Sequence, residues 1–218
     1  MKTALTILLI IHIASGMISL VVGFLSMLNR KGGKRHRLTG KIFFVAMTFV
    51  FLTATAIALI KGLSFLLMVG FFSYYLACSG YRSLHLKKLH PGNRPVLLDW
   101  FISVIGIIAG AALIVFSYTW FVSRGGWGIV PLAFGTFCIA LGVGDVRKYY
   151  KTPEHKLHWI LSHATKMGGS FAASLTAFVV TNIQVPQYGW VLWILPGVLV
   201  GMWISRLSKP YAPKKLAV

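Results

Sequence analysis

The chain is poor in acidic residues and in charge altogether. Of its 218 residues only three are Asp or Glu, and charged residues make up 11% of the total. Soluble globular domains carry about 25% charged residues, so this composition argues against a water-soluble fold. The scarcity also leaves few carboxylates for acid–base chemistry or metal binding, namely Asp99, Asp145 and Glu154.

Cysteine is scarce as well. The two cysteines, Cys78 and Cys138, both fall within apolar runs of the sequence. A disulfide framework needs paired cysteines in exposed segments, and a thiolate zinc or iron–sulfur site needs closely spaced ones. The sequence has neither arrangement, which removes these classes of scaffold and cofactor.

Long runs of apolar residues make up most of the sequence. Hydrophobic residues make up 57% of the chain, and its mean hydropathy is +0.77. Several runs exceed the roughly 18 residues that indicate a membrane span. We predict an all-α integral membrane protein with seven transmembrane helices in one bundle, a single domain over residues 1–218. The spans are expected at about 4–28, 42–60, 63–81, 99–122, 127–145, 158–181 and 189–206.

Positive charge predicts the orientation of these spans. The formal net charge is +19, and 18 of the 22 Lys and Arg residues lie in segments 29–41, 81–98, 146–157 and 205–218. All four segments fall on one side of a seven-span protein. By the positive-inside rule that side is the cytoplasm, so the N-terminus is expected outside and the C-terminus in the cytoplasm. Charge placed in this way argues against nucleic acid as a partner.

Polar residues recur inside two of the spans. His163, Lys166 and Ser170 follow one another at helical spacing in span six, and His12 begins a row of serines and glycines in span one. Small residues at such positions usually let membrane helices approach closely. Polar side chains at membrane depth often mark functional sites, so we predict His12, Lys166 and Ser170 as cofactor-binding candidates. For Lys166 a second interpretation is open, in which its aliphatic side chain extends along the helix so that the ammonium group reaches water at the membrane surface.

Imidazoles and carboxylates concentrate at the cytoplasmic level. His36 precedes span two, and His163 lies about 8 Å inside the cytoplasmic end of span six. Asp99 and Asp145 lie at the cytoplasmic ends of spans four and five. Histidine and carboxylate together suit a borderline divalent ion such as zinc. We predict His36 and His163 as metal ligands, with Asp99 or Asp145 as a further ligand or general base. Alternatively, Asp145 pairs with a neighbouring cation, Asp99 stabilises a helix N-terminus, and His163 is a structural imidazole.

Two parts of the chain resemble an uncharacterised family of bacterial multi-pass membrane proteins, known only as a domain of unknown function. "HIASGMISLVVGF" followed by "HRLTGKIFF" is similar to its opening, and "SHATKMGGSFAASLTAFVVTN" to its late histidine-containing helix. The matching positions are His12, Gly16, His36, Arg37, Gly40, Asp145, His163, Ser170, Thr176 and Asn182. The resemblance implies a protein of the bacterial inner (cytoplasmic) membrane. It implies no reaction.

Four classes of function are compatible with these features. The leading hypothesis is a metal-dependent membrane enzyme, in which a bound ion activates water for attack on a lipid-like or small amphipathic substrate. A transporter or ligand-binding receptor would use His163 and Lys166 to bind an anion or relay protons. A haem-binding electron carrier is disfavoured, because His12 and His163 are expected about 10 Å apart in depth, although His36 or His158 could replace one of them as a ligand. A structural subunit is also open, whereas a retinal protein is excluded because the last span has no lysine.

Overall fold

A computed structural model describes residues 2–89, 94–151, 153, 155–183, 185 and 188–212. Within this described part the chain is helical and contains no strand, which confirms the predicted all-α class. The helices are α1 (Lys2–Leu28), α2 (Lys34–Lys61), α3 (Ser64–Arg82), α4 (Leu97–Arg124), α5 (Ile129–Tyr150), α6 (His158–Asn182) and α7 (Gly189–Ser208). Short 3-10 turns follow α4 at Gly125–Gly128 and α7 at Lys209–Tyr211.

Five stretches of the described helices are long and apolar enough to cross a membrane. They are Lys2–Leu28, Lys34–Lys61, Ser64–Arg82, Leu97–Tyr150 and Gly189–Tyr211. The fourth is a 54-residue stretch that contains both α4 and α5. α6 is not among the five, since histidine and lysine lower the hydropathy of its first half. A membrane-embedded protein with several apolar helices is therefore confirmed, while seven crossings and their orientation stay predictions.

Two helices reach further into the basic segments than predicted. α2 begins at Lys34 rather than near residue 42, and α5 continues to Tyr150 rather than ending at 145. Lys and Arg are good helix formers, so the end of an apolar run does not mark the end of the helix. As a result, His36 lies in the first turn of α2 and Asp145 lies well inside α5.

α3 packs against α2, α4 and α6, while α1 with α2, α4 with α5, and α6 with α7 form adjacent pairs. The approach of α4 to α5 depends on glycine. A Cβ atom at Gly135 would lie 2.6 Å from the carbonyl oxygen of Gly110, and one at Gly110 would lie 2.9 Å from that of Gly135. Contact through small residues is the packing expected between membrane helices.

Apolar side chains cover the outside of the bundle as well as its inside. Ile10 and Val115, for example, are 62% and 72% exposed. Inside, one apolar cluster is built around Phe72, Leu76 and Leu113. The buried residues of a second cluster are Phe43, Met47, Ala77, Phe171, Ala172 and Val200. A large apolar exterior marks a surface that contacts something other than water, in this case the lipid of a membrane.

One end of the bundle carries the basic connecting segments. The C-terminal parts of α1, α3 and α7 and the N-terminal parts of α2 and α6 all border a common cleft. These helix ends lead into the segments rich in Lys and Arg, so the segments gather at the same end. We call it the basic end.

Candidate functional site

A buried ion pair joins α5 to α6 near the basic end. The ammonium of Lys166 contacts both carboxylate oxygens of Asp145, and these two residues are only 2% and 3% exposed. Lys166 Nζ also donates to Ser79 Oγ on α3, at 2.6 Å. Lys166 therefore connects three helices.

Hydroxyl groups and a second lysine complete the surroundings of Asp145. Ser79 Oγ and Tyr75 OH donate to Asp145 Oδ2 at 2.8 and 3.0 Å. Lys148 Nζ lies 3.6 Å from Asp145 Oδ1, and donates to Ser162 Oγ at 3.2 Å. Buried charges are tolerated when they are paired and hydrogen-bonded, and this cluster meets both conditions.

This geometry corrects two interpretations. Lys166 does not extend along the helix to water, because its ammonium finds an acid at its own depth in the bundle. Asp145 does pair with a sequence neighbour, Lys148, but only at 3.6 Å and through a side chain that is one-third exposed. Its closer partner is Lys166, 21 residues away in the sequence.

Asp99 is held by a different cation. Arg82 binds both of its carboxylate oxygens, with Nε 2.7 Å from Oδ1 and Nη2 3.0 Å from Oδ2. Asp99 Oδ2 also accepts the backbone N–H of Val96 at 2.9 Å, at the start of α4. The alternative role at a helix N-terminus is thus observed. The carboxylates of both Asp99 and Asp145 are bound by cations of the protein itself.

His36 and His163 come together between α2 and α6. Their ring centroids are 6.3 Å apart, and the ring planes meet at 81°. The Nδ1 atom of His163 lies 2.9 Å from Gly80 O, and that of His36 lies 3.0 Å from Ser26 O. A carbonyl oxygen can only accept, so Nδ1 carries the proton in both rings and Nε2 keeps its lone pair.

Both histidines line a cleft of about 480 Å³, which we call the basic-end cleft. Its walls are largely apolar and include Met27, Phe43, Met167, Phe171 and Ile204. Its basic residues are Lys31, Arg37, Lys41 and Lys87, and no acidic side chain of the described chain lines it. Small-molecule sites usually measure roughly 300–1,000 Å³, so the cleft is large enough to hold a ligand.

The basic side chains of the cleft make few contacts with the protein. Lys31 Nζ donates to the carbonyl oxygens of Ser26 and Met27 at 3.2 and 2.5 Å, and partial burial lowers the pKa of Lys31. The ammonium of Lys87 lies 4.6 Å from the centre of the Trp159 ring. With no described acid to balance it, the positive potential of the cleft attracts anions.

A second cavity lies against a different face of α6. It measures about 20 Å³ and borders Lys166, Asp145, Lys148 and Ser162. A cavity holds a water molecule when it offers about 10–15 Å³ and polar partners. This one has room for a single water beside the buried ion pair, and it is too small for an organic ligand.

Only two of the four residues predicted for the metal site lie together. His36 and His163 adjoin, and an imidazole whose Nδ1 donates to a carbonyl has the tautomer and orientation of a typical metal ligand. Asp99 and Asp145, however, are bound to Arg82 and Lys166. In the described chain no three His, Cys, Asp or Glu side chains lie close enough to hold a metal ion. A zinc site would therefore rest on two histidines.

The remaining predicted residues lie away from the basic-end cleft. His12 Nδ1 is 3.0 Å from Thr53 Oγ1, a contact between α1 and α2. Ser170 is fully buried, and its hydroxyl has no hydrogen-bond partner among the described residues. Neither residue lines the cleft. Glu154, the third acid of the sequence, lies outside the described residues.

Sequence reasoning missed the residues of α3 that complete these sites. Tyr75, Ser79 and Arg82 recur at steps of four and three, and bind Asp145 and Asp99. This helical spacing of polar groups within an apolar run was a usable signal. The basic residues of the cleft had no such signal, because they come from two separate segments of the chain.

Comparison with known proteins supplies no relative. No family model, no curated protein and no solved structure matches the chain. The resemblance to the uncharacterised bacterial family stays a prediction.

Proposed function

We propose that this chain is a seven-span protein of the bacterial inner membrane that binds a lipid-like or small amphipathic molecule with an anionic head group. The observation that carries the proposal is the composition of the basic-end cleft. Apolar walls suit a hydrocarbon chain, and basic residues without a described acid suit an anion. The second cavity near the basic end, of about 20 Å³, is far too small for such a ligand.

The proposed orientation puts the cleft where such ligands are found. If basic segments face the cytoplasm, the cleft lies at the level of the cytoplasmic lipid head groups. That leaflet is rich in anionic lipids, which basic residues near the membrane surface attract. An amphiphile would enter with its chain along the apolar wall and its head group near the rim.

Binding explains more of the geometry than hydrolysis does. A metal-dependent reaction would use a divalent ion held by His36 and His163 to activate water. It would also need a base near that ion, and the two described acids are bound to Arg82 and Lys166. A binding, receptor or transport role requires only the cleft.

Binding of dodecyl phosphate to the purified protein in nanodiscs tests the proposal, with dodecyl maltoside as the uncharged comparison. Tryptophan fluorescence reports the binding, because Trp159 lines the cleft. We expect saturable binding of the phosphate alone. Ala164→Phe should weaken it at least about tenfold, because Ala164 lines the cleft and a phenyl group would occupy the space of the ligand.

The matched control is Ala140→Phe, at an exposed position on the outside of α5. This variant adds the same side chain without entering the cleft, so its affinity should equal that of the original protein. Equal affinities for all three proteins, or equal binding of the uncharged amphiphile, would refute the proposed site.

A further inference from the structure

Three helices meet at the end of the basic-end cleft that lies deepest in the bundle. Among the residues that line the cleft, Gly23 on α1, Phe43 on α2 and Phe171 on α6 are the furthest along their helices from the basic end. A Cβ atom at Gly23 would lie 2.6 Å from Phe171 Cδ2 and 3.0 Å from Phe43 Cδ2. Both rings therefore pack against the backbone of α1, in the space that a side chain at Gly23 would take. We call these three residues the cleft floor.

The rings of the cleft floor belong to a closely packed interior. Phe43 and Phe171 are 2% and 6% exposed, and their apolar cluster continues one turn further along α2 with Met47. On the neighbouring wall Ile204 of α7 fills the space beside Gly168, where a Cβ atom would lie 1.7 Å from Ile204 Cδ1. A hydrocarbon chain in the cleft therefore stops at these rings, because a longer one would have to displace packed side chains.

The cations of the cleft lie toward its other end. Lys31 is in the turn after α1, Arg37 near the start of α2, and Lys87 in the segment after α3. Lys41 begins one turn deeper on α2, but helical side chains lean toward the N-terminus, which for this helix is the basic end. An anionic amphiphile in the cleft is thus oriented with its head group at the basic end and the end of its chain at the cleft floor.

This arrangement limits the length of the chain. We propose that the cleft floor sets the longest hydrocarbon chain that the protein accepts, with Phe43 and Phe171 as the residues that determine this specificity. The inference rests on the proposed function, since it concerns the chain of the same ligand. Along α6 the cleft runs from Trp159 to Phe171, a distance of twelve residues, or about 18 Å.

That length separates two alkyl phosphates. An extended chain of single bonds advances by about 1.2 Å per bond, as a fully extended backbone does. From phosphorus to the last carbon, dodecyl phosphate then measures about 16 Å and hexadecyl phosphate about 20 Å. The first fits between Trp159 and Phe171, and the second reaches past the Phe171 ring. We therefore expect the protein to prefer the shorter chain.

Titration of both alkyl phosphates into the protein in nanodiscs tests the inference. Concentrations are expressed as mole fractions in the bilayer, and the fluorescence of Trp159 reports the binding. The original protein should bind dodecyl phosphate about fivefold or more tightly than hexadecyl phosphate, because close-packed side chains resist displacement. Phe171→Ala removes the ring from the end of the cleft, so the preference should disappear or reverse.

The matched control is Phe72→Ala. Phe72 is 4% exposed, belongs to the other apolar cluster and does not line the cleft. This variant loses a buried ring of the same size, so it reports any general loosening of the bundle, and its chain preference should equal that of the original protein. If the alanine variants fail to fold, Phe171→Leu and Phe72→Leu carry the same comparison with a smaller loss of packing.

The outcomes distinguish this inference from the proposed function. Dodecyl phosphate that fails to bind to the original protein would overturn both. Saturable binding that Ala164→Phe weakens, with the same chain preference in the original protein and in the Phe171 variants, would overturn the role of the cleft floor alone. A preference lost equally in the Phe72 variants would also overturn it, because the change would then not depend on the end of the cleft.

Discussion

At the residue scale, two of the three acids of this chain are buried and paired with cations. Asp145 and Asp99 are 3% and 1% exposed, and they bind Lys166 and Arg82. A buried charge without its partner is far more costly than the same charge in a pair. The two acids are therefore structural in the first place, and catalytic roles for them remain predictions.

Replacing Lys166 by methionine should destabilise the protein strongly. The variant leaves the Asp145 carboxylate with the partly exposed Lys148, 3.6 Å away, as its remaining cation among the described residues. Removal of one partner from a buried pair costs about 3–5 kcal/mol. Thermal unfolding in detergent measures the effect. Adding Asp145→Asn should recover part of the lost stability, because no uncompensated charge then remains.

The control for this variant is Lys148→Met. The Lys148 side chain is one-third exposed, and its ammonium is 3.6 Å from the carboxylate. Partly exposed ion pairs usually contribute about 0–1 kcal/mol, so the loss should be small. Similar losses for Lys166→Met and Lys148→Met would show that the buried pair does not hold the helices together.

Sequence reasoning found most of these residues but not their partners. His163 and Lys166 were identified from the cost of ionisable groups at membrane depth, and Asp145 from its position at the same membrane level as the two histidines. The contacts between them depend on how far one helix slides and rotates against another. Nothing local in the sequence encodes that register, so the sequence left Lys166 open between a cofactor site and water, and Asp145 open between a metal site and a neighbouring cation.

At the element scale, the helices follow directly from the sequence, and only their ends do not. Long apolar runs specify the helices, and glycine at a φ of 65° ends α2 at Gly62 as the tight turn requires. The basic first turns of α2 have no apolar signal, although their residues favour helix. Glycines on both helices allow α4 to pack closely against α5.

Gly135→Ala should separate α4 from α5. The new methyl group meets the backbone of α4, with Gly110 O at 2.6 Å and Ile114 N at 3.0 Å, and backbone atoms cannot rotate away. Overpacking of this kind costs about 1–3 kcal/mol. Chemical or thermal unfolding in detergent should show the loss.

Gly144→Ala on the same helix is the matched control. A Cβ atom there meets nothing within 4 Å, and alanine favours helix over glycine by about 1 kcal/mol. This variant should therefore equal or exceed the original in stability. A stable Gly135→Ala protein would contradict the close approach of the two helices.

At the scale of the whole molecule, the two ends of the bundle differ in the number of basic residues that they carry. The basic segments gather around one end, while Lys61 and Arg124 are the basic residues of the opposite turns. The orientation in the membrane follows from this asymmetry through the positive-inside rule, and it remains a prediction. It decides from which compartment a ligand reaches the cleft.

Cysteine labelling measures the orientation. A cysteine at Arg30, exposed in the turn between α1 and α2, should react with a membrane-impermeant maleimide only after the cells are opened. A cysteine at Gly126, where a side chain meets nothing within 4 Å, should react in intact cells. The unmodified chain is the background control, since Cys138 is buried and Cys78 half-buried. The reverse pattern would invert the molecule and contradict the cytoplasmic position of the cleft.

The ion pair between α5 and α6 also has a consequence for biosynthesis. In the proposed topology α5 leaves the ribosome first and brings Asp145 into the membrane before any lysine of α6 has been made. An Asp or Lys within a span opposes the insertion of a lone helix, by about 2.5–3.5 kcal/mol at the centre and by less near an end, where Asp145 lies. α6 also falls short of the hydropathy of an independent span. Asp145 on α5 thus supplies a counter-charge for Lys166 on α6, and Lys166 supplies one for Asp145. We expect α6 to enter the bilayer by pairing with α5, so that the last third of the protein inserts into the membrane as a unit.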